Sequence, residues 1–283
     1  MGLIERDDGW RMPDWLWEKV EPLLPPAPPH PLGCHRPRLP DRRVMDAILL
    51  VLRTGMQWNA LAATAICNSS SAHRRFQEWE RAGVFHEIWR QGLLDYDEQI
   101  GIDWEWLAAD GAMTKAPLGG EQSGPNPTDR AKKGAKRSLL CEARGVPIGL
   151  ACDGANRNDH KLLKATIDSL PVARPQPTAA APQGLCLDAG YDNAQSRELL
   201  DEYGFAAHIR GRGEEIREKL QTPGWKARRW VVEACHSWLN RNRALLIRWS
   251  KKAQNHLALL QLACGLIAFK KAHAKRLATA LQG

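Results

Sequence analysis

Apolar and polar positions repeat with a helical period over residues 229–249. Val231, Cys235, Trp238, Leu245 and Trp249 form one stripe, and Arg229, Glu233, Ser237, Asn240, Arg241 and Arg248 form another. The pattern predicts a helix with one face in a core and Glu233 on its polar face. Towards the N-terminus a short helix is expected around Asp14–Leu24, ended by the proline-studded stretch from Pro22 to Pro40. Asp41 is a candidate N-cap for a second helix through Val44, Ile48, Leu49 and Leu52, which stops near Thr54-Gly55. A short helical pattern covers Asn59–Ile66. Asn68-Ser69-Ser70-Ser71 then offers caps for a helix carrying His73, Arg74, Arg75, Phe76, Glu78 and Trp79. Helix, tight connection and a capped helix with basic residues in its first turn outline a DNA-binding helix-turn-helix. A helical bundle without nucleic-acid contact fits the same pattern.

From Trp104 the apolar runs shorten. Trp106–Ala109 reads as a strand ending in Asp110-Gly111, and Ser138–Glu142 with Pro147–Cys152 as a hairpin about Arg144-Gly145. Lys161–Leu170 is an amphipathic helix, and Pro171–Gly184 a proline- and alanine-rich linker. Leu185–Leu187 reads as a buried strand ending at Asp188, Arg197–Tyr203 as a helix, Ala206–Arg210 as a strand and Gln254–Ala272 as the last long helix. Strand, hairpin, helix, strand, helix, strand, helix is the outline of an α/β, ribonuclease-H-like domain. The expected division is a small all-α domain over residues 1–100 and a catalytic domain over 101–283, with no internal repeat.

Bulk composition narrows the partners. The 283 residues carry a formal net charge of +8, which favours an acidic partner such as nucleic acid. Seven cysteines are scattered without a C-x-x-C pair, so neither a disulfide framework nor a zinc site is indicated. The first residues, with Glu5, Asp7 and Asp8, do not read as a signal peptide. Leu257–Phe269 is too short an apolar run to span a bilayer. These features predict a cytoplasmic, nucleoid-associated protein with no membrane partner.

Asp110 and Asp188 each follow a short apolar strand and precede glycine, at strand ends where α/β folds present reactive side chains. Each alone fits a turn, and Glu233 alone fits an ion pair with a nearby arginine. Converging, the three would repel unless a cation neutralised them, and carboxylate oxygens suit Mg²⁺ or Mn²⁺. Two such ions can activate a water or 3′-hydroxyl and stabilise the leaving oxygen of a phosphodiester. Asp153, Asp159 and Asp192 are the competing carboxylates. The loop Pro125–Arg137 carries Arg130, Lys132, Lys133, Lys136 and Arg137, a basic cluster suited either to phosphate or to plain solvation. Most of the twelve tryptophans fit core spacing; Trp225 and Trp230, amid arginines, could instead stack on bases.

Six motifs in this order resemble the DDE transposases of bacterial insertion sequences, in the IS-five-type branch of the IS-four/IS-five group. They are Ala109-Asp110-Gly111, Pro125–Arg130 with Lys132-Lys133-Gly134, Gly145–Gly149, Gly154–Asp159, Leu187–Asp192, and Arg229–Glu233 through Trp238–Arg241. Thr54–Trp58 and the Ser-rich helix start extend the resemblance over nearly the whole chain. It implies an enzyme that binds element ends in double-stranded DNA, cuts them and transfers the 3′ end to target DNA. An Asp110-Asp188-Glu233 triad would hold two Mg²⁺ (or Mn²⁺) ions, in a homodimer or larger synaptic complex. Arg229 would contact DNA. Lys226 and Asn240 stand where the family signature has Tyr and Lys, so Arg241 would take over that phosphate contact. A metal-dependent nuclease without strand transfer and a non-catalytic DNA-binding derivative are the rival readings.

Overall fold

A computed structural model describes residues 10–27, 38–209 and 230–280 of the chain. Its first elements are helices. α1 spans Asp14–Val20 and runs into a single 3-10 turn at Glu21–Leu23. α2 spans Asp41–Thr54 and buries Val44, Met45, Ile48, Leu49, Val51 and Leu52, the i, i+3/i+4 stripe of an amphipathic helix. Asp41 is its first helical residue; Pro40 occupies the cap position. Gly55 ends α2 at φ +68°, and a Cβ there would lie 3.0 Å from the Arg243 backbone, so glycine serves both the left-handed cap and a close approach. A 3-10 stretch at Trp58–Thr64 leads to α3, Ser69–Arg81, whose N-cap Asn68 accepts a hydrogen bond from the Ser70 amide at 3.0 Å.

α4, Val84–Gln99, is a helix that the pattern above does not mark. It buries Val84, Phe85, Ile88, Trp89, Leu93 and Tyr96 and packs on the last helix, α8, Ala253–Ala280. A Cβ at Gly92 would sit 2.9 Å from the Gly265 carbonyl oxygen, so the two backbones nearly touch. α8 exceeds the expected Gln254–Ala272. By length and composition alone it could cross a membrane, a correction to the short apolar run read from the sequence. It is apolar on most sides because most sides are buried, as in the central helix of a core.

Among the described residues the sheet has six strands: β1 Trp106–Lys115, β2 Gly124–Pro125, β3 Lys133–Glu142, β4 Pro147–Gly154, β5 Gly184–Leu187 and β6 Ala206–Ile209. β3 lies antiparallel between β1 and β4, with the short β2 beside its first residues, while β5 and β6 continue parallel on the other side of β1. This order, an antiparallel β1-β3-β4 meander joined at β1 to parallel β5 and β6, is the ribonuclease-H-like fold. β1 does not end at Ala109. It continues through Asp110-Gly111 to Lys115, held by β3 along its length.

Neighbouring β3 residues show how the sheet is covered. Ser138 accepts a hydrogen bond from Thr166 of α5 (His160–Asp168) at 2.8 Å, whereas Arg137 binds His236 and Asn240 of α7 (Trp230–Asn240). Successive strand residues face opposite ways, so α5 and α7 cover opposite faces. α6, Ala194–Glu202, packs beside α5 and β6. α7 stops at Asn240, short of the helix expected through Trp249. The chain turns at Arg243–Leu245 and makes a parallel bridge from Ile247 to Lys115. Arg248 is therefore not on the polar face of α7. It is 1% exposed, and its guanidinium donates to the carbonyls of Gln122, Ser250, Lys251 and Glu121.

The apolar core runs without a break from Leu16 and Ile48 in the first helices through Leu107 and Leu139 in the sheet to Leu260 in α8.

Candidate active site

Asp110 and Asp188 are brought together by strand register. Ala108 pairs with Cys186 across the parallel β1–β5 ladder, and each aspartate lies two residues further on, at the same level and on the same side of its strand. Asp110 also shares its face with Ala112, the partner of Arg137 in β3, and that face lies under α7. Along α7, Glu233, His236 and Asn240 follow an i, i+3, i+7 spacing, so Glu233 projects one turn before the residues that hold Arg137. His236 is buried and held neutral, its pKa pushed down to about 3 by burial and then by the Arg137 charge, with a smaller opposing pull from the Asp110 backbone. The Arg137–His236 hydrogen bond ties α7 to β3, beside Ala112 of β1.

Glycine shapes this end of the sheet. A Cβ at Gly111 would fall 2.0 Å from Asp159 Oδ1, so the β4–α5 loop reaches β1 only because residue 111 has no side chain. Tyr191, wholly buried in the turn after Asp188, has its phenol pKa pushed up by burial and then by Asp159, Asp110 and Asp188. The phenol thus lies within electrostatic reach of carboxylates from three separate segments. A cleft of about 510 Å³ opens beside them, lined by Asp159, His160, Gly190 and Asp192.

The competing carboxylates separate by their partners. Asp153 pairs with Arg157 at 3.4 Å, Asp159 with Lys136 at 2.9 Å and Asp192 with Arg197 at 2.7 Å. Among the described residues no cation pairs with Asp188. One Asp110 oxygen accepts from the Gly111 amide at 2.7 Å, and one Asp188 oxygen from the Gly190 amide at 2.6 Å. Each aspartate thus spends an oxygen on its own backbone. Consistently, among the described residues no three His, Cys, Asp or Glu side chains close around a single metal position. The donor chemistry nonetheless suits a hard divalent cation: Asp110 and Asp188 are side-by-side carboxylates, and Glu233 is exposed on the helix that covers their face of the sheet.

The basic residues fall into two groups. Arg130 and Lys132, with Lys133 at the start of β3, are exposed on and beside a loop ordered by Asn126, whose side-chain oxygen accepts from the Thr128 amide and hydroxyl at 3.0 and 2.9 Å. Arg74 and Arg241 are exposed, and His73 is half-buried against Trp58. Three residues expected to meet DNA are instead buried. Arg75 pairs with Asp41 and Glu78 beneath Trp79, Lys136 holds Asp159, and Arg137 is 2% exposed and bound to α7. A cation buried and bound to protein groups presents no open face to phosphate, which corrects their placement on the DNA face. Arg229 and Trp225 lie outside the described residues, while Trp230 is exposed at the start of α7. Sequence reasoning missed Arg248 as an internal clamp. Its one signal was position, just past the turn that ends α7.

Residues 105–267, more than half of the chain, match the family model of the transposase DDE domain, and residues 12–89 match that of candidate transposases of the IS4/5 family. A candidate transposase of insertion sequence element IS402 from Burkholderia cepacia is 37% identical over 151 residues, which are 53% of this chain and 69% of that protein. An uncharacterized 16.2 kDa protein of the same element is 37% identical over 121 residues, 40% of this chain and 79% of that protein. Among solved structures, the catalytic domain of the Mos1 mariner transposase aligns at 9% identity and TM-score 0.29, over 66% of this chain and 91% of that one. At that distance the fold rests on the strand order described above.

Proposed function

Since this chain belongs to the IS4/5 family of transposases and carries their DDE domain, we propose that it binds the ends of an insertion sequence, cuts them with divalent metal ions and joins the freed 3′ end to target DNA. The observation that carries this reading is the β1–β5 register, which sets Asp110 beside Asp188 under the helix that bears Glu233. These three residues would hold Mg²⁺ or Mn²⁺, two ions per site. When bound, the ions would activate the attacking water or 3′-hydroxyl and stabilise the leaving oxygen.

The chain's own part is placement. β3 and β5 flank β1 and hold Asp110 and Asp188 level, and Arg137 of β3, through His236 and Asn240, holds α7 against the sheet. Turning the Asp110 and Asp188 carboxylates off their own amides would let both reach one cation. Arg130, Lys132, Lys133, Arg241 and Arg74 are exposed cations suited to the DNA backbone. Joining two element ends needs two sites, so a homodimer or larger synaptic assembly belongs to this reading.

The test is cleavage of a plasmid carrying the gene's native flanking DNA, in Mg²⁺ or EDTA, by wild type and by Asp188→Asn. Metal-dependent nicks at the element ends, lost in the variant while DNA binding persists, support the assignment. Equal cutting by both proteins would remove Asp188 from the site. Ends that are cut but never joined to a second plasmid would leave a nuclease without strand transfer.

A further inference from the structure

A second cavity, of about 460 Å³, lies away from the carboxylates, where α2, the 3-10 stretch Trp58–Thr64 and α3 meet the segment between α7 and α8. Trp58, His73, Trp249, Lys251 and Lys252 line it, and no carboxylate does. The volume is in the range of small-ligand sites. Trp249 leaves 53% of its surface exposed here. Its backbone is nevertheless rigid: Arg248 beside it binds four carbonyls, and the Lys251 carbonyl also accepts from the Glu121 amide at 2.8 Å. An exposed indole on a pinned backbone is a preorganised stacking surface, with little ordering cost on binding. Gln77 and Asn255 also line the cavity, as a hydrogen-bonded pair of amides able to address base edges. His73 stays neutral, its pKa lowered by burial and then by Lys252, so it adds an aromatic edge and no further charge.

We propose that this pocket takes one unpaired nucleotide of the DNA substrate, its base stacked on Trp249 and its phosphates against Lys251 and Lys252. The proposal rests on the reading of the protein as a DNA enzyme and adds a second binding point. Its place relative to the carboxylates follows from the sheet. Ile247 and Arg248 meet β1 at Lys115, five residues beyond Asp110. At about 3.3 Å per strand residue that is roughly 16 Å. Some five nucleotides span it at the ~3.4 Å rise of a duplex strand. An unpaired base held at that separation would fix the register of the strand entering the carboxylate site.

The experiment compares binding of a blunt duplex of the element end with the same duplex bearing a five-nucleotide thymidine tail, for wild type, Trp249→Ala, Trp249→Phe and Lys252→Ala. Wild type is expected to prefer the tailed duplex about tenfold, the scale of one base–aromatic stack. Trp249→Ala should lose that preference while binding blunt duplex as before, and Trp249→Phe should keep most of it. Lys252→Ala should weaken the tailed complex alone. Because the Trp249 indole is exposed, its loss should leave the thermal midpoint unchanged. If Trp249→Ala lowers the midpoint, the comparison rests on Trp249→Phe and Lys252→Ala. Blunt-duplex binding with no tail preference in wild type, or equal weakening of both duplexes by the variants, would overturn the pocket and leave the DNA reading standing. Failure of wild type to bind either duplex would sink both.

Discussion

The carboxylates around Asp110 and Asp188 and the basic run Arg130–Arg137 carry opposite charge, and each group divides into a matched and an unmatched half. Among the carboxylates, Asp153, Asp159 and Asp192 are each tied to a cation, and Asp188 has none among the described residues. Along the basic run, Arg130, Lys132 and Lys133 are in solvent, whereas Lys136 and Arg137 are buried and bound. The difference separates two uses of charge. A charge satisfied inside the protein holds elements together, because breaking a buried pair leaves an uncompensated ion. A charge left open is available to a ligand.

Four substitutions or titrations bear on that contrast. The largest effect is expected between Asp188→Asn and Asp192→Asn. The first should cut strand cleavage by roughly a thousandfold, the scale of removing a group that acts on transition-state charge. The second removes only a partner of Arg197 and should stay within about threefold. Comparable losses in single-turnover cleavage would erase the distinction between matched and unmatched carboxylates. Next is Arg137→Ala, which orphans His236 and Asn240 and should cost roughly 3 kcal/mol. The melting temperature would then fall by about 6–12 °C. A variant as stable as wild type but defective in DNA binding would return Arg137 to the DNA face.

The same buried cation has a pH signature. Burial and then Arg137 push the pKa of His236 down to about 3, and burial with Arg248 and Arg137 does the same to His256. The unfolded chain takes up these protons near pH 6.5 and the folded chain does not. Stability is therefore complete above about pH 6.5 and declines as pH falls towards 3, by about 1.4 kcal/mol per pH unit for each histidine. Urea unfolding between pH 6.5 and 5.5 should show this slope, and His256→Gln should remove about half of it. A flat profile would mean that these histidines are not held neutral. The smallest effect belongs to the exposed loop. Arg130→Ala, Lys132→Ala or Lys133→Ala should leave melting unchanged and make the slope of log affinity against log salt shallower by about 0.9 each. An unchanged slope would take that side chain off the phosphate path.

Local chemistry was legible before the fold. The Asn68 cap, the Arg144-Gly145 hairpin and the strand ahead of Asp188 depend on neighbours within a few residues. So does the glycine after Asp110, although β1 runs on past it. α4 is not marked although its apolar residues have the right spacing, and α8 exceeds its apolar run, because each finds its main packing partner in the other. The basic residues were the least legible. Arg75, Lys136, Arg137 and Arg248 look like their exposed neighbours until the groups that bind them arrive from 34, 23, 99 and 126 residues away.

By itself the sequence determined the periodicities, caps and turns that make an α/β chain with helices before it, and it marked Asp110, Asp188 and Glu233 as carboxylates in unusual surroundings. These follow from short-range backbone preferences and apolar spacing, which a linear chain carries openly. Only the tertiary structure decided which charges are spent on architecture, that α7 ends before Arg248, and that Trp249 stands exposed over a cationic pocket. Those outcomes depend on long-range pairing, and whether a charge is desolvated or open is a property of what packs against it.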